Sequence, residues 1–153
     1  MKKRAIRLLA HNVRSLLNVG SFFRTCDAFA VERLTLTGYT GTPPRKEISK
    51  TTIGAEKTVL WEHAADPVVV LQNMKRDGWQ IVALELMPTA IDIDSFEPSD
   101  RVCLVVGHEL TGVPKDILAC CDTVVSIPML GSKESLNVAV AAGVALHRLR
   151  SRA

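Results

Sequence analysis

The sequence lacks the patterns that indicate a metal site, a membrane span or secretion. Its four cysteines form no Cys-x-x-Cys pair and no histidine lies at a zinc-finger spacing, which predicts free thiols, a reducing compartment and no metal. No segment reaches the roughly 18 unbroken apolar residues of a membrane span. Arg7 and His11 interrupt the apolar stretch that a secretion signal would need, so we expect a cytoplasmic protein.

Several common catalytic and nucleotide-binding motifs are also missing. The first predicted strand is not followed by Gly-x-Gly-x-x-Gly, and the chain contains no Gly-Lys-Ser/Thr, so neither a dinucleotide fingerprint nor a P-loop is supported. No Gly-x-Ser-x-Gly elbow is present, and no pair of carboxylates lies at an evident catalytic spacing. Any catalytic or ligand site in this chain must therefore use other motifs.

What the chain does contain fits one globular domain. Its 153 residues are 47% hydrophobic, without an internal repeat or an obvious linker, so we expect a single domain over residues 1–153. The net charge is only +3, but basic residues are concentrated near the two ends. They are Lys2, Lys3, Arg4, Arg7 and Arg14 at the front, and His147, Arg148, Arg150 and Arg152 at the back. These clusters either keep the ends soluble or form a nucleic-acid patch, and charge by itself favours the first interpretation.

Apolar periodicity predicts strands that alternate with helices. We expect strands at 6–10, 31–38, 79–86, 102–106 and 124–127, and helices at 19–30, 67–77, 114–121 and 135–149. The run 102–106 is continuously apolar, as in a buried parallel strand. The fold class is therefore α/β, with a mostly parallel sheet flanked by helices.

Two segments allow two interpretations each. Residues 39–58 are predicted to be irregular, and their Lys, Thr and Gly content fits either a mobile surface loop or phosphate contacts. The predicted last helix carries small residues over 139–145, which fit either tight packing on its own sheet or a helix-to-helix subunit interface.

The polar loop between the last strand and the last helix is a candidate ligand site. The strand ends at Pro128, a small-residue loop follows, and the helix is predicted to begin at Ser135. Open α/β sheets bind ligands where strands end and helices begin. Ser135 and Asn137 therefore either cap the helix or face a substrate.

Three short motifs resemble those of the SpoU–TrmH branch of the SPOUT RNA methyltransferases. Residues 18–25 contain Asn-x-Gly-x-x-x-Arg, residues 105–113 contain Gly-His-Glu as the Gly-x-Glu core, and residues 127–138 contain Ser-Leu-Asn. Residues 54–57, Gly-Ala-Glu-Lys, also resemble a segment of that branch. The resemblance covers nearly the whole chain, and we expect no appended RNA-binding domain.

The resemblance implies a fold, a reaction and an assembly. The fold is the SPOUT fold with a C-terminal deep trefoil knot, and the reaction transfers a methyl group from S-adenosyl-L-methionine to a ribose 2′-hydroxyl of tRNA or rRNA. The assembly is a homodimer without metal or membrane. A non-catalytic RNA-binding dimer on the same fold is the alternative, and an α/β domain that binds a small molecule without RNA is a third possibility.

The resemblance also implies two groups of site residues. The cofactor pocket consists of Leu84, Gly107, Ile127, Met129 and Leu136. The polar active-site set consists of Asn18, Arg24, Glu109, Ser135 and Asn137. Because a guanidinium stays protonated in proteins, we interpret Arg24 as a cation that holds a neighbouring phosphate and orients the hydroxyl, rather than as a free base.

Overall fold

The computed structural model describes residues 3–151, which form a parallel sheet with helices on both faces. The strands are β1 (Ala5–His11), β2 (Arg33–Thr37), β3 (Trp61–Ala64), β4 (Gln80–Leu84), β5 (Ile91–Asp92), β6 (Arg101–Val106) and β7 (Thr123–Ser126). The helices are α1 (Leu16–Ala28), α2 (Lys46–Thr52), α3 (Pro67–Arg76), α4 (Lys115–Leu118) and α5 (Val138–Ser151), with a short 3-10 turn at Ala55–Lys57.

The strand order is β3-β2-β1-β6-β4-β7-β5, and every pair is parallel. Strands β1 and β6 lie at the centre, where Leu8 is paired with Leu104. One face buries Phe22 and Phe23 of α1, and the other buries Leu71 of α3. Burial on both faces explains why the central strands are apolar runs and confirms the α/β class. Within residues 3–151, no helix is long and apolar enough to cross a membrane.

The five predicted strands are confirmed with bounds that differ by at most two residues at either end, but two strands were missed. Both missed strands, β3 and β5, lie at the edges of the sheet. Strand β3 reads Trp-Glu-His-Ala, and β5 is an exposed pair of residues. Neither shows the apolar alternation by which a half-buried strand is recognised, because an edge strand needs little burial to pair.

The predicted start of the first helix at residue 19 is three positions too late, because α1 already begins at Leu16. The hydroxyl of Ser15 accepts a hydrogen bond from the Asn18 N–H at 3.2 Å and caps this helix. Asn18 therefore lies in the first turn of α1 and is buried.

The prediction that residues 39–58 are irregular is also wrong. Helix α2 and the 3-10 turn occupy much of this segment, and α2 packs along α1. Gly20 makes the close approach possible, because the Thr51 hydroxyl and the Ile48 carbonyl lie where a Cβ of residue 20 would be. The Thr51 hydroxyl also donates to the Leu17 carbonyl at 3.0 Å. Contacts with α1, rather than local signals, hold this helix in place.

The helices on the opposite face follow the sequence more closely. Asp66 caps α3 by accepting from the Val68 and Val69 N–H groups, and Pro67 occupies the first turn, where the helix is predicted to begin. Helix α4 is shorter than the predicted helix over 114–121 and ends at Leu118.

The last helix begins at Val138, three positions later than predicted. The Asn137 side-chain oxygen accepts from the Ala139 N–H at 2.9 Å and from the Val140 N–H at 3.2 Å. The prediction that Ser135 starts and caps this helix is therefore wrong, and Asn137 is the cap.

Most of the basic residues near the two ends hold the fold together instead of facing a partner. Arg150 donates to the carbonyls of Arg4, Phe29 and Ala30, and Arg4 donates to the carbonyl of Leu149. Burial, and then the charge of Arg4, lower the pKa of Arg150. Neither sequence interpretation, soluble ends or a nucleic-acid patch, accounts for these two arginines.

Other members of the end clusters are engaged in the same way. Arg148 forms an ion pair with Asp94 at 2.7 Å, Arg7 forms one with Glu32 at 2.8 Å, and the His147 ring packs edge-on against Phe29. Of the other predicted members, Lys3 and Arg14 are exposed, and Lys2 and Arg152 lie outside the described residues.

Candidate active site

A cavity of about 320 Å³ lies beyond the carboxyl ends of β4, β6 and β7. The structure brings together at this cavity all five residues predicted for a cofactor pocket. They are Leu84 at the end of β4, Gly107 after β6, Ile127 and Met129 after β7, and Leu136 before α5. The irregular segment 127–137 forms one wall, so residues distant in sequence share one site. That they bind a cofactor stays a prediction.

The loop after β6 turns back on itself and lines the cavity. His108 and Gly112 exchange two backbone hydrogen bonds, at 3.2 and 2.9 Å. The backbone of Gly112 and Val113 thereby lies where a Cβ of residue 107 would be, so Gly107 is required for this turn.

Glu85 supports the same loop and was missed by sequence reasoning. It follows β4 directly, and its carboxylate accepts from the Val113 N–H at 2.9 Å. A second carboxylate, Glu134, also lines the cavity. A polar residue immediately after a buried strand is the signal that could have identified Glu85.

A chain of hydrogen bonds joins three of the five predicted polar residues. The Glu109 carboxylate accepts from the backbone N–H groups of Arg14 at 3.1 Å and Ser15 at 2.9 Å. It also accepts from the Asn18 amide nitrogen at 3.2 Å. The Asn18 oxygen in turn accepts from the Asn137 amide nitrogen at 3.2 Å. The network links the β1–α1 loop, the β6 loop and the start of α5.

The donor and acceptor roles in this network are mutually consistent. An ionised carboxylate only accepts, so Asn18 must direct its amide nitrogen to Glu109 and its oxygen to Asn137. Asn137 then has its own oxygen free to cap α5. Burial opposes ionisation of Glu109, but the Ser15, Arg14 and Asn18 donors outweigh it and lower the pKa of this carboxyl below its ordinary value.

Arg24 and Ser135, the other two predicted polar residues, flank this network. Ser135 lies on the wall of the cavity, together with Glu109. Arg24 is exposed on α1 and lines an open groove between α1 and α5, which Asn18 and Asn137 also line. In the described part of the chain, Arg24 takes part in no salt bridge, so its charge faces the groove without a carboxylate partner.

Together these features define the class of the molecule: a parallel α/β domain with a ligand cavity at the carboxyl ends of its strands. A polar network and an unpaired arginine lie beside that cavity. The chain belongs to the SpoU rRNA Methylase family, whose model matches residues 5–147. The family resemblance carried by the three motifs is therefore confirmed.

Curated relatives and solved structures resemble nearly the whole chain. The tRNA (guanosine(18)-2'-O)-methyltransferase of Aquifex aeolicus is 35% identical over 147 residues, which are 95% of this chain and 69% of the relative. The Thermus thermophilus enzyme of the same name is 32% identical, over 92% of this chain and 72% of the relative.

Two solved structures confirm the fold. The A. aeolicus TrmH/SpoU tRNA modifying enzyme superposes with a TM-score of 0.89 at 33% identity, covering 99% of this chain and 76% of its own. The AdoMet-bound rRNA methyltransferase from Sinorhizobium meliloti gives a TM-score of 0.91 at 27% identity, covering 97% and 57%. The trefoil knot within this fold stays a prediction.

Proposed function

We propose that this chain transfers a methyl group from S-adenosyl-L-methionine to a ribose 2′-hydroxyl of RNA, in the cytoplasm. The observation that carries the proposal is the hydrogen-bonded set Glu109, Asn18 and Asn137 between the cavity and the Arg24 groove. Family membership and relatives named as tRNA 2'-O-methyltransferases support the reaction class. The RNA is a tRNA or an rRNA.

The residues of the cavity fit the cofactor. A volume of about 320 Å³ lies in the range of small-molecule sites. An apolar slot for the flat adenine ring would be formed by Leu84, Ile127, Met129 and Leu136. Because Gly107 has no side chain, backbone groups would be able to approach the polar edge of the adenine ring. When bound, the cofactor supplies a sulfonium-activated methyl group, a donor that makes little demand on a base.

The polar residues of this chain would prepare the hydroxyl for attack. Glu109 fixes Asn18, and Asn18 fixes Asn137, so the amides are held in place before substrate arrives. The Arg24 guanidinium would hold a phosphate beside the target ribose and stabilise the oxygen as it loses its proton to water. The exposed Ser135 hydroxyl, two residues before the helix cap, would orient the ribose at the mouth of the cavity.

The experiment that tests this function measures methylation directly. Purified protein is incubated with labelled S-adenosyl-L-methionine and RNA from cells that lack the protein, and ribose methylation is mapped by mass spectrometry. We expect one or a few 2′-O-methyl sites that are also missing from the RNA of those cells. RNA binding without cofactor binding in calorimetry would instead identify a non-catalytic RNA-binding dimer.

Gly107→Ala tests the cofactor pocket. The new methyl group would displace the backbone of Gly112, so we expect the cofactor affinity to fall about tenfold or more in titration calorimetry. Gly131→Ala is the matched control, because no described atom lies within 4 Å of the Cβ position at Gly131. Equal affinities for the two variants would show that the turn after β6 does not shape the pocket.

We further propose a homodimer formed through the groove between α1 and α5. Val140 and Val144 lie one turn apart on α5 and are 53% and 44% exposed. Together with Phe29 they give this groove an apolar strip that a second copy would bury. In this arrangement the second copy contacts the apolar strip on the α5 side, and Arg24 on the α1 side of the groove stays open to the RNA.

Val140→Arg tests the dimer by placing an unpaired charge in the proposed interface. We expect the variant to be monomeric in size-exclusion chromatography with light scattering at concentrations where the parent protein is dimeric. Val69→Arg is the control, because Val69 is a similarly exposed valine, at 50%, on α3. A dimer that persists in Val140→Arg would contradict this interface.

A further inference from the structure

Helix α2 carries a row of exposed basic side chains that the proposed catalytic set does not use. Arg45 immediately precedes the helix, and Lys46 and Lys50 lie one turn apart on it. All three are exposed, whereas Ile48 and Thr52 are buried against the rest of the protein. Helix α2 therefore presents its basic residues to solvent.

These charges are not neutralised within the described part of the protein. Its salt bridges use Arg7, Arg33, Lys75 and Arg148, and none of them uses a basic residue of α2. The segment 45–50 has three basic residues and one acidic residue, Glu47, so it keeps a net positive charge. The row differs in this respect from the arginines at the chain ends, whose guanidinium groups bind backbone carbonyls and carboxylates.

The end of α2 shares a cavity with Arg24. Thr52, Ile53 and Gly54, at the end of α2, line a cavity of about 390 Å³ whose opposite side is formed by Arg24, Asp27 and Ala28 of α1. The hydrogen bond from the Thr51 hydroxyl to the Leu17 carbonyl fixes α2 against α1. The basic face of α2 and the side chain of Arg24 therefore belong to one rigid pair of helices.

We propose that α2 binds the phosphate backbone of the RNA next to the target nucleotide, through Arg45, Lys46 and Lys50. This inference rests on the proposed function, because it places Arg24 at the reacting ribose. Lys46 and Lys50 are separated by about 6 Å along the helix axis, which suits successive charges of one strand. Because every nucleotide carries the same phosphate, such contacts position the RNA without reading its bases. The row is thus a docking surface that gives affinity and leaves base selection to other residues.

The triple variant Arg45→Ala, Lys46→Ala, Lys50→Ala tests this surface. With an unmodified tRNA transcript as the probe, we expect KM for RNA to rise about 10- to 100-fold, while kcat at saturating RNA stays within about twofold. The slope of log affinity against log salt concentration should become shallower by about two to three, since each lost phosphate contact contributes roughly 0.7 to 0.9. Cofactor affinity in calorimetry should stay unchanged, which also verifies folding.

The matched control removes the same number of positive charges away from α2, before the interior strand β1 and on helix α3 of the other face. Lys3 precedes β1, and Lys75 and Arg76 end α3, so their triple alanine variant should keep the parent salt slope and KM. An unchanged slope in the α2 variant, or an equal change in the control, would overturn the docking surface. If the parent protein binds this transcript but methylates no RNA, the proposed function fails, while the salt slopes still decide whether α2 contacts phosphates.

Discussion

Arg24→Ala is expected to lower methyl transfer by about 10³-fold while cofactor affinity stays within about twofold. The two effects separate because Arg24 lines the groove between α1 and α5, whereas the predicted cofactor residues line the cavity at the strand ends. The loss would come from the unbound phosphate and the unstabilised ribose oxygen. Single-turnover kinetics with labelled cofactor, together with calorimetry, measures both quantities.

Arg24→Lys shows which property of arginine is used. Lysine keeps the charge but loses the planar fork that binds a phosphate through two hydrogen bonds, so we expect an intermediate rate, about 10- to 100-fold below the parent. Arg76→Ala changes an exposed arginine at the end of α3, on the other face of the sheet, and should leave the rate unchanged. Full activity of Arg24→Ala would contradict the mechanism, and a matching loss of cofactor binding would place Arg24 in the cofactor pocket.

The parts of the fold that the sequence predicts are those with local signals. The capping aspartate and proline at residues 66 and 67 mark α3, and the continuous apolar run marks β6. Helix α2 has no side-chain cap at Arg45 and is held by its contacts with α1, so no local pattern indicated it. Ser135 and Asn137 are equally good capping residues, and only the tertiary bond between Asn137 and Asn18 distinguishes them.

The site shows the same division between local pattern and tertiary contact. Family resemblance named the residues, but spacing could not place Asn18 against Asn137, which are 119 positions apart. Charge counts along the chain were misleading for a related reason. The arginines near the chain ends were candidates for an RNA contact, but the N–H donors of Arg150 bind backbone carbonyl oxygens. The basic residues of α2 are fewer, and they form no salt bridge within the described residues.

Glu109→Ala is expected to have the largest effect on stability among the site variants. The change leaves the Arg14 and Ser15 N–H groups and the Asn18 amide without their acceptor, so the free energy of unfolding should fall by about 2 to 4 kcal/mol. Methyl transfer should fall about 10²-fold, because Asn18 and Asn137 lose their fixed orientation. Urea denaturation and single-turnover kinetics measure the two effects, with Glu134→Ala as the control on the same cavity.

The negative charge of Glu109, rather than its shape, should account for much of this stability. The pH dependence of the unfolding free energy distinguishes the two contributions. The folded-state pKa of Glu109 is lowered, so its stabilisation is complete above the unfolded value of about 4.3 and is lost as pH falls through the folded value. Glu109→Gln keeps the shape without the charge, and protonated Glu109 resembles it. The difference in unfolding free energy between the parent protein and Glu109→Gln should therefore be constant from about pH 7 to pH 5 and shrink below about pH 4. A difference that stays constant into the acid range would show that the network does not depend on an ionised carboxylate.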